Sequence, residues 1–206
     1  MATGITTIVF DVGGVLIDWD PEYLYRKLIP DDEKRAFVLK HVVSRVWNGH
    51  QDLGLHTWAD AVAARTSLFP EHAEMIKAYD TRWPEMVSGV IADVPEIQAA
   101  LRAKGIPVYG ITNFSSEKWA DAQKLWPSLT EFDGVVVSGH EKMLKPDPGI
   151  YHLLCRRYGL DAQNCLFIDD VPANVEAAKS VGMMGHVFTN ASALRETLQN
   201  ILGISL

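Results

Sequence analysis

Short apolar runs recur along the chain, and each of them ends at a polar or glycine-containing turn. The first run, residues 6–10, is rich in β-branched and aromatic side chains and stops at Asp11, which two glycines follow closely. Such a run is typical of a buried strand that leads into a tight loop. By the same criteria, further strands are predicted at residues 106–111, 134–137, 165–168 and 186–188.

Helical periodicity occupies the intervals between these strands. Helices are predicted at residues 94–104, 115–125, 148–158 and 173–181, and several of them have a glycine just past the end. Because strands and helices alternate, the strands are expected to run parallel. The predicted fold class is therefore α/β, with a Rossmann-like, mainly parallel sheet flanked by helices.

The interval after the first strand breaks this alternation. It shows helical patterns only, at residues 22–28, 32–47, 57–68 and 71–83. We therefore expect a helical-bundle cap over residues 18–93, inserted into an α/β core domain formed by residues 1–17 and 94–206. Four tryptophans of this interval could line a substrate pocket, but most of them are expected to supply core area. They are Trp19, Trp47, Trp58 and Trp83.

Composition and charge exclude several classes of protein. Hydrophobic residues make up 48% of the 206 residues and charged residues 22%, which is the balance of a globular protein and not of a disordered chain. The formal net charge is −7, and no cluster of lysines and arginines offers a surface for phosphate backbones. We therefore expect no nucleic acid among the partners.

Neither membrane insertion nor redox chemistry is indicated. The apolar stretch of residues 5–17 is interrupted by Asp11, has no positive region before it and is too short to cross a bilayer, so neither a signal peptide nor a membrane span is predicted there. No membrane partner is expected, and a cytoplasmic location is predicted by default. Cys155 and Cys165 are not spaced as metal ligands or as a redox pair, so buried structural thiols are predicted.

Polar side chains follow four of the predicted strands. In an open parallel sheet, ligands bind outside the carboxyl ends of the strands, so these residues are the first candidates for a functional site. Each has an ordinary structural explanation, such as a helix cap or a turn, but four coincidences of this kind are improbable. The candidates are Asp11, Thr112, Asn113, Lys145, Asp169 and Asp170.

The segments around these residues resemble the four motifs of the haloacid dehalogenase superfamily. In chain order they read Phe-Asp-Val-Gly-Gly-Val-Leu, Ile-Thr-Asn, Leu-Lys-Pro-Asp and Phe-Ile-Asp-Asp-Val-Pro-Ala-Asn. Each motif is short, but their order, their spacing and the helical insertion after the first match the branch with an inserted helical cap. The resemblance covers nearly the whole chain.

This resemblance implies roles for the residues at the strand ends. Asp11 is the expected nucleophile, which forms an aspartyl ester that water hydrolyses. Thr112 and the backbone N–H that follows it are expected to hold the oxygens of the transferring group, and Lys145 to orient the nucleophile. The predicted catalytic residues are therefore Asp11, Thr112 and Lys145. The predicted substrate-binding residues are Gly13, Gly14, Thr112, Asn113 and Lys145.

Three aspartates around one small volume would repel each other, and one lysine cannot neutralise them. Mg²⁺ is the expected cofactor, because it prefers oxygen ligands and bridges to phosphate groups. The resemblance implies as ligands Asp11, the carbonyl of Gly13 and Asp170, with Asp169 bound directly or through water. Asn174 either lies near the metal or caps the helix that begins beside it.

One position departs from the pattern of typical phosphatases in this superfamily. There, the residue two past the nucleophile is a second aspartate that protonates the leaving oxygen; here it is Gly13. Loss of a positioned acid removes on the order of 10²–10⁴ in rate. The 2-haloacid dehalogenases of the superfamily also lack this acid, because a departing halide needs no proton.

Other features oppose a dehalogenase. Those enzymes work without metal and usually have serine or asparagine where this chain has Asp169 and Asp170. Their halide-stabilising arginine has no unambiguous counterpart here, and Tyr151, which matches a tyrosine near their site, is equally compatible with a core position. The three arginines in the corresponding region are interpreted as solvated helix charges. They are Arg26, Arg35 and Arg45.

The sequence therefore predicts a Mg²⁺-dependent hydrolase with a small-molecule substrate. Its preferred function is a phosphatase that acts on a small phosphomonoester, such as a sugar phosphate, through an aspartyl-phosphate intermediate. A 2-haloacid dehalogenase acting through an aspartyl ester is the first alternative. A catalytically weak module that binds a phosphorylated ligand is the second. The pattern does not determine the oligomeric state.

Overall fold

The computed structural model describes residues 4–206 of the chain. Within that range, five strands form one sheet in which all neighbours are parallel, and two short strands form an antiparallel pair. The strands are β1 (Thr7–Phe10), β2 (Ile17–Trp19), β3 (Val87–Val90), β4 (Val108–Thr112), β5 (Gly134–Val137), β6 (Cys165–Asp169) and β7 (Met184–Val187). The order in the larger sheet is β5-β4-β1-β6-β7. The predicted α/β class with a parallel sheet is confirmed.

Helices connect these strands and cover both faces of the larger sheet. They are α1 (Glu22–Leu28), α2 (Asp32–Phe37), α3 (Arg45–Asp52), α4 (Trp58–Leu68), α5 (Ala73–Thr81), α6 (Val94–Ala103), α7 (Ser116–Leu125), α8 (Ser138–Glu141), α9 (Pro148–Tyr158), α10 (Pro172–Ser180) and α11 (Ala191–Leu202). No helix of the described residues is both long and apolar enough to cross a membrane.

The central position of β1 follows from its side chains. All four of its residues are buried, and the strand pairs with β4 on one side and β6 on the other. Ile8 and Phe10 join the apolar cluster that includes α6 and α11, whereas Val9 joins the cluster that includes α9. This alternation is the period of two that a strand imposes. A strand that is apolar on both faces is suited to the middle of a covered parallel sheet.

Most predicted elements of the parallel sheet and its connections agree with the structure to within one or two residues. The helix predicted at residues 148–158 coincides with α9, and the strand at residues 134–137 coincides with β5. The last strand begins at Met184 and not at residue 186, because its parallel register pairs Met184 with Leu166 of β6. Helix α11, beyond the last strand, was not among the predicted elements.

The interval 18–93 is not purely helical, so that prediction is corrected. β2 and β3 pair with each other near the two ends of the interval, with Ile17 opposite Val90 and Asp18 opposite Gly89. The Asp18 carboxylate ties the pair together, because it accepts hydrogen bonds from the Tyr23 and Ser88 hydroxyls at 2.6 and 2.5 Å. Residues 20–86, between these two strands, are called the insertion below. The division into domains at residues 17–18 and 93–94 stays a prediction.

The single helix predicted over residues 32–47 is also corrected. The structure has α2, a π-helical turn at Val38–Val42 and then a break before α3. Ser44 adopts an extended conformation, and its side chain accepts a hydrogen bond from the N–H of Trp47 at 3.2 Å. This is an N-cap, which begins a new helix in place of continuing the old one.

The insertion docks on the core through polar contacts as well as apolar ones. Trp58 Nε1 donates to Ser115 Oγ at 2.8 Å, and Ser138 Oγ donates to the carbonyl of Asp52 at 2.6 Å. Lys142 donates to the carbonyl of Gly54. These contacts join α3, α4 and the loop between them to the strand ends of β4 and β5. The insertion is thereby held against the carboxyl edge of the parallel sheet.

Candidate active site

The carboxyl ends of β1, β4 and β6 bring three of the predicted residues to one edge. Asp11 follows the last residue of β1, while Thr112 and Asp169 are the last residues of β4 and β6. The backbone N–H of Asp11 donates to the carbonyl of Ile168 at 2.8 Å, which fixes the end of β1 beside β6. The parallel register therefore places Asp11 next to Asp169.

Lys145 joins these two aspartates. Its Nζ lies 2.7 Å from Asp11 Oδ1 and 2.7 Å from Asp169 Oδ2. The lysine is 4% exposed and Asp169 is fully buried, so the ion pairs are shielded from water. A buried pair of this kind retains its geometry because either charge without its partner would be costly. Lys145 fixes the orientation of the Asp11 carboxylate.

Asn113 holds the Lys145 segment in place. Its Oδ1 accepts a hydrogen bond from the backbone N–H of Lys145 at 2.8 Å, and its Nδ2 donates to the Lys145 carbonyl at 3.0 Å. Both ends of the side-chain amide are therefore engaged with the backbone of one residue. This contact fits a role in ordering the loop, and substrate binding by Asn113 stays a prediction. Thr112, which is 1% exposed, precedes it at the end of β4.

Asp169 accepts four hydrogen bonds. Its Oδ1 accepts from the N–H of Val171 at 2.8 Å and its Oδ2 from Lys145, while Asn174 Nδ2 lies 3.0 Å from each oxygen. An ionised carboxylate has about four lone-pair sites, so its accepting capacity is used. Asn174 faces Asp169 and does not cap α10, whose first turn has no side-chain cap. Of the two roles considered for Asn174, the role of helix cap is therefore excluded.

Tyr151 is a core residue that supports this network from behind. Its ring is fully buried and meets Phe167 edge to face at 5.3 Å between centroids. Its hydroxyl donates to the carbonyl of Asn174 at 2.8 Å. The tyrosine therefore positions the residue that holds Asp169.

Burial and crowding change the acidity of the site. Burial raises the pKa of Asp11 to about 7; the neighbouring Asp169 adds to this, and Lys145 opposes it. Burial lowers the pKa of Lys145, but the attraction of the two carboxylates outweighs it and leaves the pKa above its ordinary value. Burial and the charge of Asp169 raise the pKa of Asp170. The site holds more negative charge than Lys145 can compensate.

The residues at this edge fit a hard divalent cation. Oxygen atoms of Asp11, Asp169 and Asp170 lie within 4.8 Å of one another. Asp170 is exposed, and its carboxylate takes no part in an ion pair with a described residue. Carboxylate oxygens at one open edge are the donors that Mg²⁺ prefers. Because Asp169 is already saturated by hydrogen bonds, Asp11 and Asp170 are the better direct ligands.

The loop after β1 shows why two consecutive glycines differ. Gly14 has a φ of 77°, and a Cβ there would lie 2.5 Å from Asp170 Oδ2. Both the backbone conformation and the close approach of Asp170 therefore require glycine. A Cβ at Gly13 would meet no atom within 4 Å, so the space beside Gly13 is open.

The open side of Gly13 belongs to a cavity of about 70 Å³ between the insertion and the core. Its wall combines aromatic side chains with polar groups from both the insertion and the core. The lining residues are Gly13, Trp19, Asn48, Asp52, Trp58, Trp83, Asn113, Phe114, Ser115 and Lys118. A molecule held at the carboxyl edge would extend into this cavity.

Three of the four tryptophans line this cavity, and two of them, Trp58 and Trp83, are buried as well. Trp19 lines the cavity, but Trp47 packs between Trp58 and Tyr79 as an aromatic core residue, with centroids 5.6 and 5.2 Å away. Asp52 went unnoticed because an acidic residue at the end of an amphipathic helix is ordinarily solvated. Its approach to the site depends on how the insertion docks, and no local pattern encodes that.

The arginines of the insertion differ in their surroundings. Arg26 pairs with Glu22 and is exposed, as expected for a solvated helix charge. Arg35 also pairs with Glu22, but its side chain is only 12% exposed and donates to the carbonyl of Ile29, so that interpretation is wrong for Arg35. Arg45 is exposed, and its guanidinium lies 5.6 Å from the centroid of the Trp19 ring. Of the three, Arg45 is thus the one beside a cavity-lining residue.

Known proteins resemble this chain over nearly its full length. It is 25% identical over 213 residues to a sesquiterpene phosphatase of Aspergillus oryzae, covering 98% of this chain and 100% of that protein. It is 25% identical to a phosphorylated carbohydrates phosphatase of Thermotoga maritima, covering 85% of this chain and 81% of that protein.

A solved structure has the same fold. It is the magnesium complex of a haloacid dehalogenase family enzyme from Bacteroides thetaiotaomicron. The match has a TM-score of 0.76 at 23% identity and covers 95% of this chain and 99% of that one.

The sequence profile of haloacid dehalogenase-like hydrolases matches residues 5–182. This span includes the strands and loops that supply the aspartates and the lysine described above. The order of the four motifs, the parallel sheet and the charged cluster at its carboxyl edge agree with that match. The chain belongs to the haloacid dehalogenase-like hydrolases and is an enzyme of that family.

Proposed function

We propose that this hydrolase is a Mg²⁺-dependent phosphatase. Its substrate would be a small phosphomonoester, such as a sugar phosphate, and its intermediate an aspartyl phosphate on Asp11. The observation that carries the proposal is the buried Asp11, held by Lys145 beside the acidic pair Asp169 and Asp170. An oriented carboxylate with a neighbouring oxygen-ligand site suits attack on phosphorus.

In the first step, a carboxylate oxygen of Asp11 attacks phosphorus and the bond from phosphorus to the leaving oxygen breaks. The Lys145 ammonium keeps the carboxylate in position throughout. Thr112 and the backbone N–H that follows it would donate to the phosphoryl oxygens as charge develops. Water then attacks the phosphorus of the aspartyl phosphate, which releases phosphate and regenerates the Asp11 carboxylate.

Mg²⁺ would be held by Asp11, the carbonyl of Gly13 and Asp170, with Asp169 acting through water. When bound, it would neutralise the carboxylates and the phosphate oxygens. Asp169 would meanwhile keep Lys145 and Asn174 in place. The insertion would act as the cap that excludes water from the cavity over the site.

The relatives support release of phosphate from an organic ester. The two nearly full-length relatives described above are both named phosphatases, one for a sesquiterpene and one for phosphorylated carbohydrates. The cavity offers aromatic side chains, Trp19, Trp83 and Phe114, together with the polar Asn48 and Asp52. Such a wall suits a leaving group that has both apolar and hydroxyl-bearing surface.

One observation favours a second candidate, a 2-haloacid dehalogenase. Gly13 leaves no side chain two residues after the nucleophile, and a departing halide needs no acid there. The retained pair Asp169 and Asp170 opposes this candidate, because its carboxylates crowd the site unless a cation is bound. The phosphatase is therefore the preferred function.

The sequence leads us to expect a cytoplasmic enzyme with no nucleic-acid or membrane partner. These expectations stay predictions, and so does the identity of the substrate.

Two product assays on one preparation test the proposal. Sugar phosphates and other small phosphomonoesters are screened for released phosphate, and 2-chloropropionate for released halide, with Mg²⁺ and with a chelator. We expect phosphate release that requires Mg²⁺ and no halide release. Metal-independent halide release without phosphate release would overturn the phosphatase. Binding of phosphate esters without turnover in either assay would favour the binding module.

A further inference from the structure

Gly13 leaves the proposed phosphatase without an acid at the usual position, yet a carboxyl group lines the same cavity from the opposite side. Asp52, the last residue of α3 in the insertion, shares the cavity wall with Gly13. Of the described residues that line this cavity, Asp52 is the only one with a carboxyl group.

The other polar residues of the cavity wall are engaged elsewhere. Lys118 pairs with the carboxylate of Asp80 and also donates to its carbonyl. Ser115 Oγ accepts from Trp58 Nε1 at 2.8 Å and from the backbone N–H of Lys118 at 3.2 Å. These groups are therefore poorly suited to deliver a proton to a substrate in the cavity.

Asp52 is oriented by contacts from both sides of the interface between insertion and core. Asn48 Nδ2 donates to its Oδ2 at 2.7 Å, and the backbone N–H of Ser115 lies close to the same carboxyl group. Its carbonyl accepts from Ser138 Oγ at 2.6 Å. Asp52 is part-buried, so its carboxyl group is shielded from bulk water without being cut off from the cavity.

We propose that Asp52 is the general acid and base of this enzyme, supplied by the insertion in place of the aspartate that is missing at position 13. The inference rests on the proposed phosphatase function. In the first step, the Asp52 carboxyl gives its proton to the leaving oxygen as the phosphorus–oxygen bond breaks, so that an alcohol departs. In the second step, the Asp52 carboxylate takes a proton from the water that attacks the aspartyl phosphate.

The environment of Asp52 suits a proton donor. Burial raises the pKa of Asp52 well above its ordinary value, although the N–H of Ser115 and the hydrogen bond from Asn48 oppose the shift. A carboxyl group that keeps its proton near neutral pH can donate it to a leaving oxygen. Since this environment depends on the docked insertion, the acid would be in place only when the insertion covers the site.

A general acid and a structural residue differ in how the effect of their loss on kcat/KM depends on the leaving group. This difference tests the role of Asp52. The experiment compares Asp52→Asn with the wild type on 4-nitrophenyl phosphate, whose leaving group needs no proton, and on an alkyl phosphate, whose leaving group does. We expect the variant to lose about 10²-fold or more in kcat/KM on the alkyl phosphate and much less on the nitrophenyl ester. Glu74→Gln, the same chemical change at an exposed residue of the insertion, is the control.

A second experiment asks whether a carboxyl group at position 13 can replace that of Asp52. A Cβ at Gly13 would meet no atom within 4 Å, so Gly13→Asp has room for a carboxyl group on the facing wall. In the Asp52→Asn background, Gly13→Asp should restore turnover of the alkyl phosphate. If Asp52→Asn does not fold, the wild type itself decides the matter on a series of phosphate esters: its kcat/KM should fall only weakly as the pKa of the leaving alcohol rises, because Asp52 supplies the proton.

Several outcomes overturn the proposal. A loss in Asp52→Asn that is equal for both esters would assign Asp52 to holding the insertion, and no loss would remove it from the reaction. A steep fall of the wild-type kcat/KM with the rising pKa of the leaving alcohol would mean that the wild type lacks an acid. Failure of the proposed function is distinguishable, because the wild type would then release phosphate from neither ester.

Discussion

At the residue scale, Gly13 and Gly14 have different structural requirements although they are neighbours. Gly14 has a positive φ and faces Asp170, whereas Gly13 has open space where a side chain would stand. Only Gly14 is therefore fixed by sterics. At Gly13 a side chain would fit, so its absence matters because position 13 then offers no acid for the reaction.

This contrast predicts that alanine destabilises the folded protein at position 14 but not at position 13. Gly14→Ala should lower the free energy of unfolding by about 1–3 kcal/mol, because the positive φ is strained for alanine and its Cβ displaces Asp170. Gly13→Ala should have little effect or stabilise by up to about 1 kcal/mol through the unfolded state. Urea unfolding of the two variants beside the wild type measures both. Equal destabilisation by the two alanines would contradict the geometry of the loop.

At the scale of elements, the docking of the insertion creates the cavity. The contact between Trp58 of α4 and Ser115, the N-cap of α7, joins the two parts at the cavity wall. Such a hydrogen bond makes a modest net contribution to stability, because folding exchanges hydrogen bonds with water for one within the protein. A substitution of Trp58 removes buried ring area as well as the hydrogen bond. The contribution of the hydrogen bond to stability is therefore measurable only when the two losses are separated.

A double-mutant cycle makes that separation. Trp58→Phe and Ser115→Ala should show a coupling energy of about 0.5–1.5 kcal/mol in urea unfolding. Trp126→Phe with Ser115→Ala is the control cycle, and its coupling should be near zero. If the first cycle also gives no coupling, the Trp58–Ser115 contact does not hold the insertion on the core.

The elements that the sequence predicted well are those whose signal is local. β1 and α9 have a strong period and clear boundaries, so their positions follow from neighbouring residues. β2 and β3 were missed because they contain three and four residues and pair across about seventy positions of the chain. The break before α3 depends on Ser44 acting as an N-cap, a choice that a continuous helical pattern conceals.

The same distinction applies to the site. Asp11, Lys145 and Asp169 could be grouped from the sequence, because parallel strands bring their carboxyl ends to one edge. The hydrogen bonds of Asn174 and the approach of Asp52 depend on tertiary packing, so spacing along the chain did not predict them. The sequence therefore predicts the positions of the motif residues. It does not predict which other residues contact them or supply further groups to the cavity.

At the scale of the whole molecule, the proposed metal site at the acidic edge predicts that Mg²⁺ stabilises the folded protein. A ligand that binds only the folded state adds about 2.7 kcal/mol of stability at a hundred times its Kd. We expect Mg²⁺ to raise the Tm of the wild type relative to sodium chloride at equal ionic strength. Asp170→Asn should lose most of that increase, because Asp170 is the exposed carboxylate of the cluster.

The control for this measurement is Glu176→Gln, because Glu176 is an exposed residue of α10 whose ion pair among the described residues is with Lys179. It should keep the full increase in Tm. Equal increases for all three proteins would assign the effect to general screening, and the metal site would have to be abandoned. The readout is independent of catalytic activity, so it applies even before a substrate is known.

In the proposed mechanism, Asp11 becomes covalently phosphorylated. Detection of the phosphoryl group on Asp11 tests this step directly. The protein is mixed with Mg²⁺ and a phosphomonoester that it turns over, quenched in acid within one turnover, and digested for mass spectrometry. We expect a phosphoryl group on the peptide that contains Asp11. It should decay in aqueous buffer at neutral pH and be absent from Asp11→Asn. Phosphate release by the wild type with no phosphorylated peptide at the earliest times, or substantial turnover by Asp11→Asn, would contradict the proposed mechanism.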